Sequence, residues 1–491
     1  MRYYVKNQLL ILEPLSKHPY PYQSIASLSI PSPPILNPTF TFNASLQKYL
    51  FGKQLLLDEL PFPLELLYQH YLEGYVQWEP GLIKKGNFLR CRRCGNQDDT
   101  LFGEFQCFRC HHSCKYCRKC IMMGRVSACS ALLLWRGNAP TMSVSQVEFN
   151  WNGTLSQGQE EASKQIVETI KLGRQLLVWA VCGAGKTEIL FEGIRQALSN
   201  NRKVCLASPR TDVILELLPR LRQVFPNVNI IGLYGGSEEI FQQSQFILAT
   251  THQLFRFYQA FDVMIIDEVD AFPFSYDESL HFAVEKAKKR IGSSVYLTAT
   301  PTRRWKKTPT FKILARYHGH PLPQPTFHWC GNWKKLLTKR KLPPSIQSWI
   351  TELLQKEKQA LLFFPSVSVM NQALPLFQKL HKKIASVHAT DSQRKEKVSK
   401  LRNGEIPILL TTTILERGVT ISNLNVAVIG AEQTIFTESA LIQIAGRVGR
   451  DASSPTGDVI FFHNGKSREM EKALIHIVTI NRQARKSGAL T

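Results

Sequence analysis

No apolar run in this sequence approaches the 18 or more residues that a membrane-spanning helix needs. A typical long one, Leu176 to Val181, is far too short. Met1 to Leu12 holds one short apolar patch and no small-residue cleavage site, so no export signal is expected. Acidic residues are few: 38 Asp and Glu stand against 61 Lys and Arg, a formal net charge of +23. That deficit predicts a polyanionic partner, nucleic acid first and an anionic membrane surface second. Cysteine is scarce outside one stretch. Eight of the 11 fall between Cys91 and Cys129, leaving Cys182, Cys205 and Cys330 scattered. In a large chain without an export signal, such clustering reads as metal binding and excludes a disulfide scaffold. The expected location is the cytoplasm, with peripheral membrane contact left open. Hydrophobic residues, at 44% against 20% charged over 491 residues, are plentiful enough to exclude a disordered chain and to build roughly three domains.

Residues 1–85 show no repeat and no catalytic pattern, and Pro31, Pro33, Pro34 and Pro38 make an extended stretch. Leu55 to Tyr75 carries apolar residues at mixed helical spacing, which predicts one amphipathic helix in an accessory region. A cysteine-rich module over 86–135 follows, then a short linker at Asn150 to Gly153. From there short β-rich runs alternate with helical stretches: Leu176–Val181, Lys203–Ala207, Val228–Leu233, Phe246–Ala249, Val263–Ile266 and Ser294–Leu297. A basic, proline-closed connector, Lys334 to Pro344, separates a second series at Ala360–Phe364, Ile384–His388, Ile408–Thr411, Val426–Ile429 and Asp458–Phe462. Repeated strand-then-helix patterning predicts an α/β fold of two parallel-sheet domains, over 150–330 and 345–491, with the chemistry in loops after the strands.

The segment Ala180 to Thr187 follows a predicted strand and contains Gly183, Ala184, Gly185, Lys186 and Thr187. This is the phosphate-binding loop (P-loop) pattern in its proper strand–loop–helix setting. Its glycines let backbone N–H groups turn around phosphate oxygens, Lys186 reaches the β and γ phosphates, and Thr187 ligates Mg²⁺. A nucleoside triphosphate with Mg²⁺ is therefore expected at this loop. Val263 to Ile266 is an apolar strand ending in Asp267-Glu268-Val269-Asp270. Asp267 is placed to hold the metal, and Glu268 to orient or deprotonate the attacking water. Arg447 and Arg450, each preceded by glycine, are expected on one face of a short helix, where they could meet charge developing on the γ-phosphate.

These motifs, with Leu155 to Gln159, Ser208 to Thr211, Ala249 to His252, Thr298-Ala-Thr300 and Thr412 to Thr420, occur in the order found in superfamily 2 helicases. That resemblance implies two RecA-like domains and ATP as the nucleotide. It also implies roles: Gln159 for adenine, Gly418 in the loop coupling the second domain to nucleotide, and Arg447 and Arg450 as arginine fingers. Arg210, Thr251 and Thr412 would grip the nucleic-acid backbone, and Thr298 and Thr300 would relay hydrolysis to the track. Backbone contacts of this kind would be indifferent to sequence. Phe257 to Asp262, Asp267 to Pro273, Arg316-Tyr-His-Gly319 and Tyr116 to Arg125 narrow the likeness further. The chain resembles the late-competence helicase-like protein A family of Gram-positive bacteria. That family implies an ATP-driven translocase on single-stranded DNA, at the inner face of the DNA-uptake channel, with competence proteins as partners.

Two CxxC pairs so close together are a strong Zn²⁺ signal. The family's four-cysteine pattern best matches Cys91, Cys94, Cys117 and Cys120. Cys107, Cys110 and Cys114 then require a fourth ligand, from Cys129, His111 or His112, for a second ion. Spacing alone offers a rival, Cys91 and Cys94 with Cys107 and Cys110. Four thiolates leave no open position for water, so a catalytic zinc is not expected. Between residues 91 and 140 eight Lys and Arg face three Asp and Glu, so the module could also guide DNA. A duplex-unwinding repair or restart helicase shares these motifs. A zinc-dependent DNA-binding adaptor with a decayed ATPase is disfavoured, because Lys186, Thr187, Asp267, Glu268, Arg447 and Arg450 are all in place.

Overall fold

The computed structural model describes residues 1–16, 18–86, 88–141, 146–237, 243–416 and 421–490. The chain divides into two compact units. One comprises residues 1–152, 167–176 and 192–296, and the other residues 153–166, 177–191 and 297–491.

The amino-terminal part begins with an antiparallel hairpin of β1 (Tyr3–Lys6) and β2 (Leu9–Leu12). Next come β3 (Gln54–Leu56), β4 (Val76–Pro80), β5 (Leu82–Lys85), β6 (Phe88–Cys91), β7 (Phe102–Gln106), β8 (Ser113–Cys117) and β9 (Ala131–Trp135). Strand β9 lies between β3 and β4, antiparallel to both. The residues before and after the cysteines thus share one core, with Leu67, Tyr71, Trp78, Leu133 and Trp135 in it. Between them project two small hairpins, β5–β6 and β7–β8. The helix expected over Leu55 to Tyr75 is shorter: β3 and a 3₁₀ turn at Leu57–Glu59 come first, and the α-helix spans Leu64–Leu72. Pro61 and Pro63 explain the late start, since proline disfavours α conformation in the residue before it and is tolerated only at a helix's first turn.

Seven strands form the next sheet: β10 (Gln175–Ala180), β11 (Val204–Ser208), β12 (Ile230–Leu233), β13 (Phe246–Thr250), β14 (Phe261–Ile266), β15 (Lys288–Thr298) and β16 (Thr310–Ile313). Their order is β12-β13-β11-β14-β15-β10-β16. The pairings are parallel, as in β11 with β13 and β14, and β10 with β16. Strands β11 and β13 are buried at every residue, which is why they read as continuous apolar runs rather than alternating ones.

A second parallel sheet runs β17-β22-β21-β18-β20-β19. Its strands are β17 (Thr326–Trp329), β18 (Gln359–Phe363), β19 (Ala385–Val387), β20 (Ile408–Thr411), β21 (Leu424–Ile429) and β22 (Val459–His463). Trp333, Trp349, Leu362, Phe377 and Phe462 fill its core. Every strand expected from the apolar runs is present within a few residues; β16 and β17 were not foreseen. The basic connector is also partly helical, over Trp333–Thr338. The buried Trp333 and Leu337 anchor that turn to the core, a pull that its charge pattern conceals.

Candidate nucleotide site and cysteine centres

Strand β10 delivers the chain into the loop Val181–Thr187. Gly183 and Gly185 sit at φ 82° and 70°, a left-handed backbone that residues with a Cβ rarely adopt. These two glycines curl the loop so that its N–H groups can face a phosphate. A 3₁₀ turn over Glu188–Leu190 comes next, and the α-helix starts at Phe191 and runs to Ser199.

Within the second compact unit the loop is held from three sides. Gln159 is buried; its Nε2 donates to the carbonyl of Ala184 at 3.0 Å and its Oε1 accepts from the N–H of Ser156 at 2.8 Å. These two bonds use one N–H and one lone pair of that amide. The thiol of Cys182 donates to Oε1 of Gln443 at 3.2 Å. A Cβ at Gly446 would stand 2.3 Å from the Cβ of Cys182, so only glycine permits this approach. Arg316 provides the third support. The N–H of Tyr317 donates to the carbonyl of Gly183 at 3.1 Å. The Arg316 guanidinium, 2% exposed, donates to the carbonyls of Val448, at 2.8 Å, and Gly449. Burial pushes its pKa down to about 10, still charged at neutral pH.

Arg447 and Arg450 do not lie on a helix as expected. The helix Glu438–Ala445 ends at its C-cap Gly446, and Gly449 at φ 66° turns the chain again. Arg447 is buried with Nε donating to the carbonyl of Glu416 at 3.0 Å, while Arg450 is half-buried and donates to the carbonyl of Gly446 at 3.2 Å. The same helix reaches the Thr298-Ala299-Thr300 segment. Hydroxyls of Thr300 and Ser439 are 2.7 Å apart, and Oγ1 of Thr298 accepts from the N–H of Thr300 at 3.0 Å.

In the first unit, β14 ends at Ile266 and presents Asp267 and Glu268, both half-buried. Asp267 donates its N–H to the carbonyl of Ala207, and its Oδ1 accepts from the N–H of Glu268, both at 2.8 Å. Glu268 has φ 55°; a non-glycine residue there costs about 1–3 kcal/mol and tends to mark a functional position. Of the residues expected to hold nucleic acid, Arg210 pairs with Asp212 at 3.3 Å. Thr251 is fully buried, its hydroxyl without a hydrogen-bond partner among the described residues. Thr412, in the second unit, is half-buried ahead of a 3₁₀ turn at Thr413–Leu415. Gly418 lies outside the described residues.

The structure gathers eight cysteines, all buried, into two groups, each with its four sulfurs within 4.8 Å of one another. Cys91, Cys94, Cys117 and Cys120 form one; Cys91 and Cys120 are 3.5 Å apart, and Cys94 and Cys117 3.6 Å. Cys107, Cys110, Cys114 and Cys129 form the other. The rival pairing of Cys91 and Cys94 with Cys107 and Cys110 thus joins residues of different groups. In the first group the donors suit a tetrahedral Zn²⁺, whose sulfur–sulfur edge is about 3.8 Å for Zn–S bonds near 2.3 Å. This module packs on the 3₁₀ segment that carries Thr251. Glu59 accepts from buried Arg93 at 3.0 Å and from Arg256 at 2.8 Å, and Lys286 donates to the carbonyls of Arg93 and Phe255 at 2.9 and 2.7 Å.

Sequence reasoning did not single out Cys182 or Arg316 as parts of the site. Arg316 follows the unforeseen β16, which pairs with the P-loop strand in the register Ala180 to Ile313. The segment Arg316 to Gly319 carried part of the family likeness, but only that strand would have placed it beside the P-loop.

Two parallel-sheet RecA-like domains with these motifs define a helicase-type, DNA-dependent ATPase. Residues 152–303 match the family described as type III restriction enzyme, res subunit, and 345–452 the helicase conserved C-terminal domain. Residues 38–134 match the competence protein ComFA N-terminal domain. The chain is 46% identical over 455 residues to competence protein ComFA of Bacillus subtilis, covering 91% of this chain and 97% of that one. It is 37% identical over 414 residues to competence protein ComFA of Streptococcus pneumoniae, covering 82% and 93%. Among solved structures, S. cerevisiae Dbp5 bound to RNA and ADP BeF3 gives a TM-score of 0.49 at 15% identity, covering 66% of this chain and 91% of that one. The chain belongs to the ComFA family of helicase-like competence proteins, as the motifs had implied. Among the described residues no helix is long and apolar enough to cross a membrane.

Proposed function

We propose that this protein is an ATP-driven translocase on single-stranded DNA that draws transforming DNA into the cytoplasm during competence. It would work at the cytoplasmic face of the membrane beside the proteins of the uptake channel. The observation that carries the motor reading is the helix Glu438–Ala445, whose Gln443 meets the P-loop at Cys182 and whose Ser439 meets Thr300. One rigid element touching both places gives nucleotide occupancy a physical route to the segment expected to relay it. The net charge of +23 favours a polyanionic track, and contacts to phosphates alone would suit DNA of any sequence.

Bound ATP with Mg²⁺ supplies the phosphoanhydride to be broken. In this reading Gly183, Ala184, Gly185 and Lys186 cradle its phosphates, and Thr187 and Asp267 hold the metal. Glu268 orients the attacking water, Gln159 reads the adenine, and Gly418 senses the nucleotide from the second domain. Arg447 and Arg450 would neutralise charge as it develops on the transferred γ-phosphoryl group. Arg210, Thr251 and Thr412 hold the DNA backbone; Thr251 would have to be uncovered first, since it is buried here. Thr298 and Thr300 link the two events. Cys91, Cys94, Cys117 and Cys120 hold a structural Zn²⁺ that keeps the module docked against the Thr251 segment. We divide the chain functionally as accessory residues 1–85, zinc module 86–135, and RecA-like domains 150–330 and 345–491.

The test is the ATPase rate with single-stranded DNA, duplex DNA and RNA, beside strand displacement on a forked duplex. Strong stimulation by single strands with an intact fork is expected. Efficient fork opening would favour a duplex-unwinding helicase instead, and a rate indifferent to single-stranded DNA would sink the translocase reading.

A further inference from the structure

We infer that Cys107, Cys110, Cys114 and Cys129 form a second tetrathiolate Zn²⁺ site, separate from the first and built into the β7–β8 hairpin. This stands apart from the motor reading. It rests on three observations.

The first is what the hairpin has for a core. Among the described residues the buried hydrophobic cluster there consists of those four cysteines, each 5% exposed or less, with Phe105 and Ala128 the partly buried hydrophobic residues packed against it. Four thiols are a poor apolar core, and an isolated two-stranded hairpin is marginal in water. A shared ion would supply the missing cohesion, because metal affinity becomes folding free energy when the site does not exist in the unfolded chain.

The second is the sulfur geometry. Cys107 and Cys129 are 3.4 Å apart, Cys114 and Cys129 3.8 Å, and all four sulfurs lie within 4.8 Å of one another. All are free thiols. Those separations far exceed a disulfide bond of about 2.05 Å and bracket the tetrahedral edge of about 3.8 Å. His111 and His112, the other candidates for fourth ligand, are exposed.

The third is local backbone. Cys107-Phe-Arg-Cys110 folds as Cys91-Arg-Arg-Cys94 does. The N–H of His111 donates to the carbonyl of Cys107 at 2.8 Å, as the N–H of Gly95 does to that of Cys91 at 2.8 Å. In each turn the residue after the second cysteine is left-handed, φ 60° at His111 and 77° at Gly95. The first turn can use glycine for this; the second holds a histidine there. Outside the four sulfurs, the hydroxyl of Ser127 stands 3.4 Å from Sγ of Cys129, able to donate to a thiolate and orient it.

Metal analysis of the full-length protein tests the inference. Two zinc ions per chain are expected in the wild type, a count that needs no variant to fold. Cys107→Ser and Cys129→Ser should each drop the count to one while leaving basal ATP hydrolysis in place, and Cys91→Ser should independently drop it to one. His112→Ala should keep two. One zinc in the wild type would overturn the second site, as would an unchanged count in Cys107→Ser and Cys129→Ser. A mass deficit of two hydrogens mapping to these cysteines would replace it with a disulfide. Iron in place of zinc would overturn the choice of ion. None of these outcomes depends on whether the protein moves along DNA.

Discussion

Gln159, Cys182, Arg316 and Arg447 around the P-loop are each held by hydrogen bonds to backbone carbonyls or neighbouring side chains. The eight clustered cysteines sit mainly against one another, with almost no apolar surroundings in the case of the second group. In the first region protein groups brace the loop themselves, so a nucleotide enters as a guest. In the second the ligand is a structural part. Removing a ligand-binding group should therefore cost chemistry in one place and structure in the other.

The widest separation is expected from a matched pair of substitutions. Lys186→Ala or Glu268→Gln should lower DNA-stimulated ATP hydrolysis by about 10²–10³-fold, the scale of losing one transition-state contact. The thermal unfolding profile should stay as in the wild type. Cys91→Ala should do the converse. Three thiolates cannot close a tetrahedral shell, so hydrogen exchange over residues 91–129 should rise sharply while basal hydrolysis survives. A Lys186→Ala protein that turns over normally, or a Cys91→Ala protein with unchanged exchange, would erase the contrast.

Arg316 tests whether the scaffold around the P-loop is itself part of the chemistry. Arg316→Ala leaves the carbonyl of Val448 without its buried donor, a penalty of about 1–3 kcal/mol, while that of Gly449 keeps the ring nitrogen Nε2 of His318 at 3.1 Å. The turn between Arg447 and Arg450 should loosen, and hydrolysis should fall about tenfold through kcat rather than KM. Arg316→Lys should recover part of the rate, because one donor remains where two were. Equal loss in both variants, or a change in KM alone, would reduce Arg316 to a packing residue.

The two regions also differed in how readable they were. Lys186, Thr187, Asp267 and Glu268 lie in short contiguous motifs at strand ends, and a contiguous motif survives reading one residue at a time. The relation of Cys182 to Gln443, 261 residues apart, and the service of Arg316 to Val448 and Gly449 depend on folding and leave no local pattern. Spacing suggested pairing the first two CxxC turns. The structure instead brings Cys117 and Cys120 to the first and Cys129 to the second, because the β7–β8 hairpin folds the intervening chain back. The arginines at 447 and 450 were placed on a helix by their spacing, whereas Gly446 and Gly449 act as stops there. The helix expected over Leu55 to Tyr75 erred in the same way, by weighing apolar spacing above Pro61 and Pro63.

The smallest effect concerns the amino-terminal core rather than either site. Lys53 is 5% exposed. Burial first, and then the charge of Lys203, pushes its pKa down from 10.5 to about 7. Because the folded state releases this proton more readily than the unfolded chain, the unfolded chain binds more protons between about pH 7 and 10.5. Stability from this group is therefore present above the unfolded value and is lost as pH falls toward the folded one. Lys53→Met keeps the length of the side chain and removes the charge. The variant should be more stable than the wild type at pH 7 by about 1–2 kcal/mol, well below the full value of the shift because a buried lysine relaxes toward water. The gap should narrow as pH rises to 10, where the wild-type lysine is neutral in the folded state. Denaturant midpoints of both proteins at the two pH values measure it. A gap that does not change with pH would assign the gain to packing and leave the comparison between the two sites untouched.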